Sequence, residues 1–446
     1  MKIAIIGAGT STFSLKLIRD ICLTPRLAGS RISLMDVDER RLENVHELCR
    51  RYAEEMEIRL SVEKTADRRA CLQGADFVIN TALVFGKHRW QEGWDAAKGL
   101  GYRFGGSYHV MHDEAFWINF YQLQLHEAVL QDLLEICPRA WYILVANPVC
   151  ASVTYLQRKY PQARMVGLCH GYYDVYSLAE QIGLQREGLR FELPGVNHFL
   201  WLTKLHYRGE DAFPQLDRWL EARGERFWEK IPWKYGLGPV AFDLYRRFGA
   251  FPIGDTCTPG GGSWPCWYHT DAEVEGKWKE DPQKWWDEGF RDGKRHVQEI
   301  EHAARDSTRK VSEAFPPKHS GETMIPLIES LAFDIPTVQI VNILNTGGLV
   351  PGVPESFQVE VPALVSAHGI QGIRTDGLPP PLIEYILRDR VAPVETELRA
   401  FEQGSRELLL QLLLMDPWTR SVQQAEELLG TIMALPYHEG LRRHYR

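Results

Sequence analysis

A cysteine and a histidine stand side by side in MVGLCHGYY (165–173), and a further histidine follows in GVNHF (195–199). Cys169 and His198 each come just after a short apolar run, and each has a glycine close by, which lets loop backbone approach a ligand. A thiolate and an imidazole suit a divalent metal of intermediate softness. Two protein ligands leave coordination positions open for substrate oxygens. By spacing alone a second reading stands beside this one, in which Cys169 is a buried free cysteine that only packs.

Three other segments carry chemistry. In ANP (146–148), Asn147 ends a predicted strand at the edge where open α/β sheets bind ligands, although Asn-Pro is also a turn signal. In FGAFPIGDTCTPGGGSW (248–264), Asp255 sits in a glycine-dense loop and is placed to act as a general base or, more simply, as a turn residue. The chain opens with KIAIIGAGTSTF, in which Gly7 permits a tight turn and Gly9 lets backbone approach a pyrophosphate at a helix N-terminus. Thr12 replaces the third glycine of the usual fingerprint. Asp36, at the end of the next predicted strand, is placed to bond a ribose 2′-hydroxyl and so to select NAD over NADP.

Short apolar, β-branched runs at KIAIIG, RISLMDVD, ADFVINTAL, AWYILVANP and ARMVGL alternate with helical spacing. That alternation predicts a Rossmann-type doubly wound parallel sheet over residues 1–170. From 171 to 446 the pattern becomes α+β. Paired strands are expected in LRFELPGVNHFLWLTKLHYRG, helices near 240–248 and 282–304, strands at TVQIVNIL and SFQVEVPALV, and a helical C-terminal stretch over 381–435.

Composition bounds the class. The 446 residues are 44% hydrophobic and 25% charged, with a net charge of −8 and no basic cluster, which argues against nucleic acid. No apolar run approaches the ~20 residues of a spanning helix, and the start lacks a signal-peptide pattern. Eight irregularly spaced cysteines point to reduced thiols and a cytoplasmic setting. The fourteen tryptophans read as core packing or as walls of a sugar site.

Taken together and in this order, GAGTSTF, DVDERRL, ANP, GLCHG and GVNHF resemble glycoside hydrolase family 4, as do NILNTGGLVPGVPESFQVEVP (342–362) and LLMDPWTRS (413–421). The pairing of GLCHG with GVNHF is the specific element. The resemblance implies an NAD- and Mn²⁺-dependent glycosidase with Cys169 and His198 as metal ligands and Asn147 on a substrate hydroxyl. Gly7, Gly9, Thr10, Ser11, Thr12, Phe13 and Asp36 would make the cofactor site. His170, where the phosphosugar enzymes often carry Asp or Asn, and GDT at 254–256 both resemble the branch acting on unphosphorylated α-glycosides. There Asp255 would be the base and His170 would bind substrate or assist the leaving group. An α-glucosidase is expected, with α-glucuronidase or α-galacturonidase as the alternative, and a homo-oligomer of two or four copies. The implied route borrows hydride from C3, removes the C2 proton, expels the C1 substituent, adds water and returns the hydride. Should Asp255 not serve, Tyr245 is the next base considered. Two remoter readings are a 2-hydroxy-acid dehydrogenase and a non-catalytic NAD- or sugar-binding protein.

Overall fold

The structure is a computed structural model. It describes residues 1–10, 13–84, 86–230, 236–258 and 264–446, with the side chains of Thr10, Lys87 and His88 excepted. Ser11, Thr12 and the glycines at 260–262 therefore lie outside the described residues.

Six parallel strands form the sheet expected of the first 170 residues: β1 (Lys2–Ile6), β2 (Arg31–Met35), β3 (Ser61–Thr65), β4 (Phe77–Asn80), β5 (Trp141–Leu144) and β6 (Met165–Gly167). Their order is β6-β5-β4-β1-β2-β3, with the switch point between β1 and β4. β1 is buried at every position, as a parallel strand covered on both faces must be. The helix Ser14–Cys22 buries Leu15, Leu17, Ile18 and Ile21 against it. The helix Glu39–Glu55 starts where the Asp38 carboxylate accepts the Arg41 amide, 3.0 Å. β3 was not expected from the sequence. SVEKT has no apolar run because it is an edge strand with no fully buried residue.

The sheet does not stop at residue 170. β13 (Thr337–Leu344), β14 (Gln358–Ser366) and β15 (Gly369–Gly372) add to the β6 edge as an antiparallel meander, giving nine strands. The join is narrow: Asn342 of β13 pairs with Gly167 of β6. The VQIVNIL and FQVEVPALV runs thus bury their apolar faces on the same sheet as the dinucleotide fold.

Between these parts lie two small sheets. One holds β7 (Leu189–Glu192), β10 (Lys204–Tyr207) and β11 (Glu210–Asp211). The other holds β8 (Gly195–Val196), β9 (Phe199–Leu202) and β12 (Phe251–Ile253). In the second, Ile253 pairs with Leu200, so strands about fifty residues apart bring the two loops carrying His198 and Asp255 together. The expected helices run over Pro239–Phe248 and Pro282–Arg305. No helix among the described residues is long and apolar enough to cross a membrane.

Candidate active site

The Gly7–Asp36 corner is fixed by close backbone approach. Gly7 has φ +84°, and a Cβ there would sit 2.4 Å from the Ala82 Cα. A Cβ on Gly9 would sit 2.7 Å from the Asp36 carboxyl carbon. Gly9 is thus needed for the acid to reach the turn as well as for any pyrophosphate. Asp36 accepts the Gly9 amide at 2.8 Å and the Asp38 amide at 2.9 Å. Burial raises its pKa, with those amides pulling the other way. Phe13, just past the turn, lines the neighbouring cavity.

That cavity, of about 300 Å³, holds the rest of the predicted chemistry: Asn147, Cys169, His170, His198 and Asp255 all line it. Cys169 stands two residues past the end of β6 and is half-buried. Burial holds its thiol well above the usual range, and the Glu360 and Asp255 carboxylates add to this. His198 is buried and sits in the left-handed region, φ +58°, between β8 and β9. Burial lowers its pKa, so the imidazole is neutral and able to ligate, while Asp255 opposes the shift. Its Nε2 stands 3.6 Å from the Asp255 Oδ2, and its Nδ1 is buried without a hydrogen-bond partner among the described residues.

Asp255 is placed by a clamp. Gly254 has φ +59°, and a Cβ there would meet the Gly171 backbone at 2.8 Å, so the loop after β12 rests directly on the loop after Cys169. The Thr256 hydroxyl accepts the Leu200 amide, 2.7 Å, and donates to the Ile253 carbonyl, 2.7 Å, which ties the same loop to β9. Thr258 Oγ1 donates to Asp255 Oδ1 at 3.0 Å, and Oδ2 faces His198. Beneath the loop, Asp174 is held up to about 6, first by burial and then by the charge of Asp255, while His170 and the Gly254 amide act in the opposite sense.

Asn147, in a cis peptide with Pro148, donates from Nδ2 to Asp113 Oδ2 at 3.0 Å, and its carbonyl accepts Gln122 Nε2 at 2.7 Å. Asp113 lines the cavity and was missed from the sequence. The available signal was the titratable run YHVMHDE in an apolar setting, in which Tyr108, His109, His112 and Glu114 are all buried. Also missed was an aromatic wall of Trp90, Trp94, Trp286 and Phe290. Trp94 lies 4.9 Å from Trp286 and 5.1 Å from Phe290 between ring centres. These residues come from helices far apart in sequence, and nothing local marks them. Tyr245 does not line the cavity. Its hydroxyl donates to Asp217 Oδ1 at 3.0 Å instead.

The donor set fits a divalent ion sparingly. Among the described residues no three His, Cys, Asp or Glu side chains converge as a ready-made metal group. A thiol and a neutral imidazole lining one cavity leave most of a coordination shell to other ligands.

Residues 2–184 match the family described as family 4 glycosyl hydrolase, and residues 193–419 match its C-terminal domain. The chain belongs to glycosyl hydrolase family 4. Among its relatives, an alpha-glucosidase of Erwinia rhapontici is 25% identical, covering 97% of each chain. An alpha-galacturonidase of Thermoanaerobacter italicus is 24% identical over 96% of this chain and 94% of its own. A solved 6-phospho-alpha-glucosidase from gut microorganisms, in complex with NAD and Mn²⁺, superposes with a TM-score of 0.78 at 18% identity, covering 98% of each chain, and so shares the fold. As a family 4 enzyme the chain is a glycosidase, not a 2-hydroxy-acid dehydrogenase or a passive binding protein, and the Rossmann-type sheet serves glycoside hydrolysis.

Proposed function

We propose that this enzyme hydrolyses unphosphorylated α-glycosides, α-glucosides foremost, using NAD⁺ and a divalent ion of the Mn²⁺ type. The observation that carries the reading is the convergence in one cavity of Cys169, His198, Asn147 and Asp255 beside the Gly7–Asp36 corner. Among the described residues lining that cavity none is Arg or Lys, and a neutral glycone, unlike a phosphate or carboxylate, calls for none. The full-length likeness to an alpha-glucosidase supports the same choice, and the alpha-galacturonidase relatives keep a uronide as the second reading.

Bound NAD⁺ would supply a hydride acceptor, and a bound divalent ion would supply Lewis acidity to the substrate. The remaining work falls to this chain's residues. Cys169 and His198 would hold the metal, and Asn147, fixed by Asp113, would hold a sugar hydroxyl. Asp255 takes the C2 proton once C3 is a ketone. Its Oδ1 is occupied by Thr258, which leaves Oδ2 as the basic oxygen. His170, exposed at the cavity wall, binds the glycoside or protonates the leaving oxygen. The aromatic wall keeps water from the enone. Release of aglycone from aryl α-glucosides that depends on both NAD⁺ and Mn²⁺ is the expected result. Equal rates on uronides would move the glycone, and full activity after chelation would remove the metal reading.

We also read the enzyme as a cytoplasmic homo-oligomer. All eight cysteines are unpaired, as in a reducing compartment, and Val338 and Leu364 face each other across β13 and β14 as exposed apolar residues. Light scattering in solution tests the second point.

A further inference from the structure

Beneath the Cys169–His198 pair lies a cluster of four fully buried polar side chains, Asn197, Asn342, Gln358 and Glu360, none of which lines the cavity. Gln358 Oε1 accepts the backbone amide of Asn197 at 3.1 Å, and Gln358 Nε2 donates to Asn342 Oδ1 at 2.6 Å. Asn197 Nδ2 donates to Glu360 Oε2 at 3.1 Å, and the same side chain makes a hydrogen-bond contact with the Cys169 thiol. Asn342 and Glu360 are register partners across β13 and β14, and Asn342 also pairs with Gly167, two residues before Cys169. Three of the four therefore come from the antiparallel arm, and the fourth is the residue immediately before His198.

An amide set in an apolar interior is costly unless bonded, and a residue held at positive φ needs its neighbours fixed. His198 has that φ, and the backbone group preceding it is held by Gln358. We infer that Asn197 is a positioning residue for the metal, seated by Gln358 and Glu360, which aims the Cys169 sulfur and the His198 ring at one point. The inference rests on the reading of Cys169 and His198 as ligands. It explains why the antiparallel arm is joined to β6: the arm supplies the outer hydrogen bonds that a two-ligand site cannot draw from the dinucleotide fold alone.

The test is Mn²⁺ titration of the purified full-length enzyme, with free Mn²⁺ read by electron paramagnetic resonance and NAD⁺ affinity measured alongside. Asn197→Ala and Glu360→Ala should each weaken Mn²⁺ by about 10–100-fold, the range for outer-shell partners, with NAD⁺ affinity unchanged. Glu360→Gln, which keeps an acceptor for Asn197, should bind Mn²⁺ as the parent does. Should Asn197→Ala not fold, Gln358→Met carries the same expectation, since it keeps volume and removes both hydrogen bonds. Cys169→Ser is the control. If it leaves Mn²⁺ affinity intact, the ligand reading fails. If Cys169→Ser weakens binding while Asn197→Ala and Gln358→Met do not, the positioning role alone is overturned. Loss in Glu360→Gln equal to that in Glu360→Ala also overturns it.

Discussion

The two halves of the site are built on different plans. The corner proposed for the dinucleotide is local: Gly7, Gly9 and Asp36 lie within thirty residues, at the ends of adjacent strands, and hold one another through backbone amides. The cavity proposed for the sugar draws on Asp113, Asn147, Cys169, His198, Asp255 and Trp286, which no single supersecondary unit contains. Its order comes from pairs of loops pressed together, Gly171 on Gly254 and β12 on β9, and from side chains bonding other side chains. A locally built corner should lose function in proportion to the contact removed. A corner built from many segments should lose it as a unit.

Five experiments sharpen or break that contrast. The largest effect is expected from Cys169→Ser, which should lower kcat by roughly 10²–10³-fold, the scale of losing electrostatic stabilisation of a developing oxyanion, with NAD⁺ affinity held. A matching fall in NAD⁺ affinity would mean that the halves are not separable. Next, Asp255→Asn should cost at least ~10²-fold in rate. Turnover in deuterated water should place deuterium at C2 of the released sugar. Unlabelled C2 together with full activity in the variant would remove both the elimination route and the assignment of Asp255. Label with full activity would move only the base.

Asp113→Ala should lower kcat/KM by roughly 10–100-fold, the scale of a hydrogen bond to a charged group. Combining it with Asn147→Ala should add little, because the two act as one unit. Full additivity would count against the unit. On the dinucleotide side, Asp36→Ala should weaken NAD⁺ by about tenfold and narrow the gap to NADP⁺, with the chemical step unchanged at saturation. An unaltered preference for NAD⁺ would show that the acid serves only the Gly9 turn.

The smallest effect concerns stability. Burial holds the Asp174 carboxyl up to about 6, against an ordinary aspartate value of about 3.9, so between those pH values the folded chain binds the extra proton. Its contribution is therefore present below about pH 4 and is lost as pH rises through about 6. Asp174→Asn should remove that decline, a shift of about 2–4 °C in melting temperature at pH 7 relative to pH 4. An unchanged pH profile of melting would reassign the buried acid.

Much of the fold was legible because its signals are local. KIAII, RISLM, FVIN and WYIL are buried on both faces and so read as unbroken apolar runs, and Asp38 caps the next helix from its own sequence position. The strand SVEKT was illegible because an edge strand buries too little to leave a pattern. Cys169, His198 and Asn147 were legible as residue types at strand ends and Asp255 as an acid in a glycine-dense loop, but not as neighbours.

Sequence alone determined the parallel sheet and the glycine turn with its acid, and it singled out Asn147, Cys169, His170, His198 and Asp255 as candidate groups. Each depends on residues whose spacing along the chain fixes their spacing in space. Tertiary structure alone decided that β13 and β14 continue that same sheet, that Asp113 braces Asn147, that Trp94, Trp286 and Phe290 wall the cavity, and that Tyr245 points away from it. These depend on contacts between segments tens to hundreds of residues apart, which packing selects and which no periodicity records.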